Sequence, residues 1–444
     1  MLRRFFKLEE HGTTMGCEAQ AGLTTFAAMA YILAVNPAIL ANTGMDKGAL
    51  VTVTALTAAI ATALMALLTN YPLALAPGMG INAFFTFTIC GAKGVPWPEA
   101  LGMVFINGLI FLALSVTGVR EKIIAAIPPA LKIAVTCGIG IFIAFIGLRN
   151  GGVIVADKAT YVGPGDFTSG PVALCLGGIG LTAVLVAYRV PGAIVLGMLA
   201  ATVAGLFVTS GGAAVTQLPP SFVAWPHSPA PVMLKLKFDF LTRAAGIEAA
   251  LPLILTLLLV DMFDNIGTLT AVTKRAGLLD AQGRLPKAGR ALLADSCATI
   301  LSALCGTSTV VTYIESASGV AAGGRTGLTA LTTAALMLLA LFLTPVILAV
   351  PAAATAPALV IVGIFMMQSV VEIPMEDFAV AAPAVLTIFA IPLTFSIAQG
   401  LGLGVLAAAL LALALRRPRD LPPLGYVVAA VFFLYFFKLW PFRG

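Results

Sequence analysis

Two apolar stretches decide the fold: LALAPGMGINAFFTFTI (Leu73–Ile89) and CGTSTVVTYIESASGVAAG (Cys305–Gly323). Both are crowded with Gly, Pro, Ser and Thr, which interrupt helices. An interrupted backbone is tolerated at membrane depth only where it lines a cavity or is buried in protein. Interrupted apolar segments at matching places in two halves of a chain are typical of transporter binding sites. The two stretches therefore predict broken spans that contain short extended segments.

The rest of the chain has the composition of a polytopic membrane protein. It is 60% hydrophobic and 10% charged, with a mean hydropathy of +1.05, whereas soluble domains carry about 25% charged residues. Apolar windows of about 20 residues, the length that crosses a bilayer, recur along the sequence. We predict an all-α protein with fourteen transmembrane spans at 20–41, 50–69, 74–90, 100–119, 129–147, 171–188, 190–208, 249–271, 290–305, 309–321, 328–350, 354–371, 378–397 and 401–415.

The spans divide into two sets of seven, and an odd number per half requires that the halves lie inverted in the membrane. GCEAQAGLTTF from Gly16 resembles GIEAALPLILT from Gly246, as expected for a repeat. Most Lys and Arg residues fall on the side of residues 1–19, which predicts a cytoplasmic N-terminal tail and a multi-pass protein of the cell membrane. Residues 424–440 are apolar and either lie at the interface or cross.

Three carboxylates lie within apolar sequence. Asp261 and Asp264 follow the run Leu251–Val260, and Glu315 belongs to the second broken span. A charged side chain at the centre of the bilayer costs about 2.5 to 3.5 kcal/mol even on the insertion scale, so such residues usually mark a substrate, ion or proton path. Asp295 lies nearer the cytoplasmic end of its span, where we expect a packing or capping role.

Four motifs resemble one family. They are AGLTTFAAMAYILAVNPAIL, LAPGMGINAFF, DMFDNIGTLTAV and GTSTVVTYIESASGVAAGGRTGLTA. They closely resemble the adenine/hypoxanthine/guanine permease (AzgA-like) branch of the nucleobase-cation symporter family, which also contains the xanthine and uracil permeases. The resemblance implies two inverted seven-span repeats, proton-coupled purine import, and a gate that moves against a core in an elevator-like alternating-access cycle. It implies a core at 20–119 and 246–350, a gate at 120–210 and 351–416, an extracellular loop at 211–245 and a C-terminal segment at 417–444.

The resemblance also assigns site residues. Asp264 falls where related branches place the acid of span 8 that holds the base, and Glu315 falls at the acidic position of span 10. Asn82 belongs to the purine-branch signature of span 3, and Asp261 matches an acidic position of this branch. Thr268 stands where relatives carry a histidine or an aspartate tied to proton coupling. The proton carrier must therefore be sought among Asp261, Asp264 and Glu315.

The chemistry of a purine suits these residues. A carboxylate accepts two N–H hydrogen bonds at once, so two acids could bind two edges of the ring. Backbone amides near Gly80 and Ser308 could serve its acceptor nitrogens, and Phe84, Phe85 or Tyr313 could stack on its face. One acid could take up a proton outside and release it inside with the base. We expect no cofactor, metal or nucleic acid; the predicted partners are the base, the proton, the lipid bilayer and a second copy of the chain in a homodimer.

Other interpretations stay open at this point. Asp264 and Glu315 could cap broken helix ends, Asp261 could bond a neighbouring span, Asn82 could satisfy local backbone, and Phe84 could simply pack. We do not expect an enzyme, because an aspartyl hydrolase needs facing aspartates from different helices. An anion carrier or channel on the same scaffold would present cations or bare helix N-termini, whereas acids line this site. A xanthine- or uracil-specific permease is a further alternative.

Overall fold

The computed structural model of the protein describes residues 2–117, 127–276, 278 and 285–437, without the side chains at 2, 244, 245, 263, 264, 266, 267, 270, 271, 274 and 275. Within these residues fourteen segments correspond to the fourteen predicted spans, although the seventh is only 12 residues long. They are, in order, Met15–Thr43, Lys47–Thr69, Leu75–Ala92, Trp97–Thr117, Pro129–Asn150, Gly170–Ala187, Ala193–Ala204, Ala244–Arg275, Ala288–Cys305, Val310–Ala321, Gly327–Ala349, Ala352–Glu372, Phe378–Thr394 and Ile397–Ala414. Nine of the described helices are long and apolar enough to cross a membrane, which makes the chain a multi-pass membrane protein.

Several spans contain breaks. Span 1 consists of helices Met15–Met29 and Ile32–Leu40 with a turn between them and a final 3-10 turn. Span 3 continues from the helix Met79–Ala83 into the π-helix Phe84–Ala92, and span 10 ends in the short helix Ser316–Ala321. Spans 11 and 12 contain 3-10 turns at Ala340–Leu343 and Gln368–Glu372. The helices outside the spans are Leu2–Phe5, Asp239–Thr242, Pro418–Asp420 and Pro423–Phe436.

Six short strands form three antiparallel pairs. β1 (Leu75–Pro77) pairs with β6 (Val310–Thr312), and these are the extended segments predicted in spans 3 and 10. β2 (Ile154–Asp157) pairs with β3 (Tyr161–Pro164) between spans 5 and 6. β4 (Thr209–Ser210) pairs with β5 (Ala213–Ala214) after span 7. Among the strand pairs of the described residues, the first alone joins the two halves of the chain.

Local sequence fixes where the spans begin and end. Asp46 precedes span 2 and its carboxylate accepts the Ala49 N–H at 2.7 Å, as N-cap residues do. Asn70 ends the same span in the left-handed conformation, which asparagine tolerates better than most residues. Gly306 ends span 9 with φ of +88° and thereby lets the chain turn into β6.

The spans pack in two groups. Spans 1, 2 and 11 contact one another, and span 9 joins this group through spans 2 and 4. Span 5 packs against spans 12 and 13, span 14 packs on span 13, and spans 6 and 7 pack on each other and on span 12. Each group draws spans from both halves of the sequence, as expected for intertwined inverted repeats.

A buried carboxylate fixes span 1 to span 11. Glu18 is fully buried, and its Oε1 accepts the Arg325 N–H at 3.0 Å. Its Oε2 accepts the hydroxyl groups of Thr326 at 2.8 Å and Thr329 at 2.6 Å. Negative charge is favourable at a helix N-terminus, so Glu18 holds the first turn of span 11 against span 1. Glu248, at the matching position of the second repeat, is exposed.

The connection between spans 7 and 8 lies across the ends of four other spans. We call residues 224–237 the strap. Its backbone bonds Phe342 of span 11, Leu304 of span 9 and Pro98 of span 4, and the His227 carbonyl accepts the Thr52 hydroxyl of span 2 at 2.8 Å. The strap therefore ties spans 2, 4, 9 and 11 together at one end.

The helix Pro423–Phe436 packs on span 14, where Phe432 and Phe436 lie against Gly402. Its 14 residues rise about 21 Å at the helical rise per residue. The described part of this helix is therefore shorter than the hydrocarbon core of about 30 Å.

Candidate functional site

The two broken spans meet in the middle of the fold. In the β1–β6 pair Ala76 lies opposite Val311, and two backbone bonds extend the ladder: Gly78 N–H to the Thr309 carbonyl and Tyr313 N–H to the Ala74 carbonyl, both 2.9 Å. All six strand residues are buried. The pairing therefore satisfies backbone groups that two interrupted helices would otherwise leave unbonded.

Neighbouring spans hold the outer edges of this strand pair. The Thr62 hydroxyl of span 2 donates to the Leu75 carbonyl at 3.0 Å and accepts the Leu75 N–H at 2.9 Å. On the other edge, the side-chain oxygen of Asn265 in span 8 accepts the Thr312 N–H at 3.0 Å. Both strands thus have a polar partner on the side away from each other, which fixes the place where the half-helices begin.

Glu315 lies at the start of the half-helix Ser316–Ala321. The chain emerges from burial there: Tyr313 is buried, Ile314 is 53% exposed and Glu315 is partly exposed. The hydroxyl of Tyr31, which is 1% exposed at the break in span 1, donates to Glu315 Oε1 at 2.7 Å. A partly exposed carboxylate beside a helix N-terminus can accept hydrogen bonds from a ligand.

Asn82 is bonded on both sides of its amide. Its Nδ2 donates to Asn36 Oδ1 at 2.6 Å, and its Oδ1 accepts the Ser308 hydroxyl. Asn36 Nδ2 donates in turn to the hydroxyls of Thr54 at 2.7 Å and Thr307 at 3.2 Å. Since Asn36, Asn82 and Ser308 are fully buried, this network joins spans 1, 2, 3 and 10 behind the strand pair.

Asp261 lies between spans 4, 8 and 9. Its Oδ1 accepts Asn265 Nδ2 at 2.9 Å, and its Oδ2 accepts Asn107 Nδ2 at 3.3 Å and the Thr299 hydroxyl at 3.4 Å. Asp261 is fully buried. Because Asn265 also bonds strand β6, the carboxylate of Asp261 is linked through one side chain to the broken span.

The remaining predicted residues surround the strand pair. Phe84 and Phe85 are buried in span 3, and the Tyr313 hydroxyl donates to the Pro77 carbonyl at 2.7 Å. Gly80 faces span 5 so closely that a Cβ there would lie 2.5 Å from Ile139 Cγ2.

The other acids and Thr268 lie on spans 8 and 9. Thr268 is partly exposed in span 8, and Asp295 is buried in span 9. The side chain of Asp264 lies outside the described residues, so its predicted role stays a prediction.

Sequence reasoning missed Tyr31, Asn36, Thr62 and Asn265. The first two lie in AAMAYILAVNPAIL, where polar atoms within an apolar span are the signal that could have found them. Thr62 and Asn265 give a weaker signal, since a threonine or asparagine in a span usually bonds its own helix or a neighbour.

A family model described as the Permease family (Xan_ur_permease) matches residues 17–403. A putative permease of Methanocaldococcus jannaschii is 45% identical over 99% of this chain and 98% of its own. The guanine/hypoxanthine permease PbuG of Bacillus subtilis is 44% identical over 99% of this chain and all of its own. The adenine permease AdeP of Escherichia coli is 40% identical over 98% of this chain and 95% of its own.

Solved structures share the fold. The transmembrane domain of the cyanobacterial bicarbonate transporter BicA superposes with a TM-score of 0.58 at 16% identity, over 88% of this chain and 97% of its own. The murine Slc26a9 anion transporter gives a TM-score of 0.59 at 10% identity, over 90% of this chain and 68% of its own. These neighbours have the predicted fold of two inverted repeats. The chain belongs to the xanthine/uracil permease family, and the resemblance of its motifs to the purine branch is confirmed.

Proposed function

We propose that the protein imports the purine bases adenine, hypoxanthine and guanine across the cell membrane together with protons. One observation carries the proposal: Glu315 begins the half-helix that follows the buried strand pair, is partly exposed, and has one oxygen bonded by Tyr31. Full-length relatives that are 40 to 44% identical are named guanine/hypoxanthine and adenine permeases, which supports purines as the cargo.

In this proposal the base lies beside the strand pair, between Glu315 and Asp264. Each acid accepts N–H groups from one edge of the ring. The backbone near Gly80 and Ser308 serves the acceptor nitrogens, while Phe84 and Tyr313 bound the face of the ring. Because both ends of the Asn82 amide are bonded within the protein, Asn82 contacts the base only if one of those bonds is exchanged.

Proton coupling is assigned to Glu315 and Asp264. Asp261 is the weaker candidate, since three side chains of its own and neighbouring spans already donate to its carboxylate. Thr268 has no titratable group, so it cannot replace the acid or histidine of related branches. Protonation of an acid outside and its release inside would link the proton gradient to base binding, because coupling between two ligands is reciprocal.

The proposed motion is elevator-like alternating access. Residues 20–119 and 246–350 form the core that carries the site, and residues 120–210 and 351–416 form the gate. The contacts among spans support this division, since spans 5 and 12 to 14 pack chiefly with one another. The N-terminal tail lies in the cytoplasm, and the strap lies on the extracellular side.

The test is uptake of radiolabelled adenine, hypoxanthine, guanine, xanthine and uracil into proteoliposomes, with and without an inward proton gradient. Gradient-driven accumulation of adenine, hypoxanthine and guanine is expected for the wild type and is expected to be lost in Glu315→Gln, which keeps the shape but not the charge. Bicarbonate and chloride uptake are measured in parallel, since solved neighbours are anion transporters. Folded protein that takes up anions and no base would overturn the assignment.

A further inference from the structure

The two oxygens of Glu315 are not equivalent. Tyr31 donates to Oε1 at 2.7 Å, and among the described residues no other side chain donates to this carboxylate. Tyr31 is 1% exposed and lies at the turn between helices Met15–Met29 and Ile32–Leu40. Packing of the Tyr31 side chain at the break in span 1 therefore fixes the position of its hydroxyl group.

A phenol that donates to a carboxylate changes the hydrogen-bond acceptors that are left for a ligand. A free carboxylate accepts two parallel N–H groups, one on each oxygen. Because Oε1 already accepts the phenol hydroxyl, it keeps one lone pair for a ligand and is a weaker acceptor than Oε2. Beside it stands the neutral oxygen of the phenol. Neutral acceptors form hydrogen bonds about half as strong as charged ones.

Purines differ in how many adjacent donors they carry. Guanine has N1–H and a 2-amino group side by side, which match the two oxygens of a free carboxylate. Hypoxanthine has the same ring and the same N1–H without the 2-amino group. The ratio of guanine to hypoxanthine affinity therefore reports how strongly the second oxygen of the carboxylate accepts a hydrogen bond.

We propose that Tyr31 is a specificity-determining residue that, by donating to Oε1 of Glu315 and so weakening this oxygen as an acceptor, lets the site bind purines with one donor on this edge as well as those with two. The inference rests on the proposed function of the same site. Tyr31 acts here through Glu315, and its role is to keep the selectivity among 6-oxopurines low.

The experiment measures equilibrium binding of guanine and hypoxanthine to purified protein in detergent. In the wild type the two affinities are expected to agree within about threefold. Tyr31→Phe removes the competing donor from Oε1, and the stronger hydrogen bond that this charged oxygen then accepts from the 2-amino group is expected to raise the guanine to hypoxanthine ratio at least about tenfold. If Tyr31 had a merely structural role, Tyr31→Phe would change the fraction of folded protein. Such a change affects the binding of both bases equally, so the ratio of their affinities would stay the same.

Tyr426→Phe is the matched control, because it removes a phenol that donates to the Pro418 carbonyl far along the chain, and its ratio is expected to equal that of the wild type. Two results would overturn the inference while leaving purine transport intact: a Tyr31→Phe ratio equal to the wild-type ratio, or a wild-type protein that already prefers guanine by more than about tenfold. The second needs no variant. Wild-type protein that is folded and binds neither base would instead refute the proposed function.

Discussion

At the scale of single residues, the acids of this protein differ in their surroundings more than in their sequence context. Asp261 and Glu315 both interrupt apolar runs. In the structure Asp261 is fully buried among donors from spans 4, 8 and 9, whereas Glu315 is partly exposed and bonded by one tyrosine. Burial with full hydrogen bonding favours a positioning role for Asp261, and exposure favours ligand contact for Glu315.

Asp261→Asn tests this difference. The new amide would turn one acceptor into a donor that faces Asn265, Asn107 or Thr299, so the free energy of unfolding is expected to fall by about 2 kcal/mol. The measurement is thermal unfolding in detergent, with Asp46→Asn as control, since asparagine caps a helix as well as aspartate does. An Asp261→Asn protein that keeps the wild-type Tm but loses uptake would show that Asp261 acts on the cargo or the proton.

The residues that could be predicted from the sequence are those whose chemistry differs from that of their neighbours in the chain. Acids in apolar sequence were identified because charge there is costly, and broken spans were identified because Gly and Pro interrupt helices. The Tyr31–Glu315 bond joins residues 284 positions apart, and no local pattern pairs a tyrosine with one particular acid. The role of Asp264 stays a prediction, as does the choice of proton carrier.

At the scale of elements, span 3 depends on close approach to span 5. Gly80 leaves no room for a Cβ beside Ile139, so two spans from different packing groups touch there through backbone and a branched side chain. The sequence predicted that backbone amides near Gly80 lie beside the ligand. The contact with span 5 could not be predicted, because it depends on how the two groups of spans meet.

Gly80→Ala is expected to reduce the initial uptake rate at least about tenfold, because overpacking costs about 1 to 3 kcal/mol. Adding Ile139→Ala removes the opposing methyl groups and is expected to restore the rate to within about threefold of the wild type. Gly16→Ala is the control, since a Cβ there has no neighbour within 4 Å. A double variant as slow as Gly80→Ala would place the role of this glycine in ligand contact rather than in packing.

At the scale of the whole molecule, one contact between the two packing groups joins span 7 to span 1. Gly192 at the start of span 7 lies against span 1, where an added Cβ would be 3.4 Å from the Cβ of Ala27. The distance is close to the range of about 3.5 to 4.5 Å between Cβ atoms in disulfides. A disulfide there would join the proposed core and gate.

In a background without the six native cysteines, oxidised Ala27→Cys/Gly192→Cys is expected to lose uptake and to regain it on reduction. The pair Asp157→Cys/Gly163→Cys is the control, because it lies within the β2–β3 hairpin and a Cβ at Gly163 would be 3.3 Å from that of Asp157. Gly192 has φ of +71°, so a cysteine at this position strains the backbone. The reduced double variant carries the same strain, and its uptake is therefore the reference for the oxidised form. Full uptake by the oxidised core–gate pair would exclude relative motion of the groups at this contact.

The β1–β6 pair also constrains how the protein is made. Strand β1 leaves the ribosome more than two hundred residues before β6, and at about 5 to 20 residues per second the interval is on the order of 10 to 50 seconds. During that time the backbone of span 3 has no partner strand, and the bilayer offers no water to replace it. The nascent chain must therefore keep its third span shielded by the insertion machinery or by earlier spans until the tenth arrives, so biogenesis of the site is completed late.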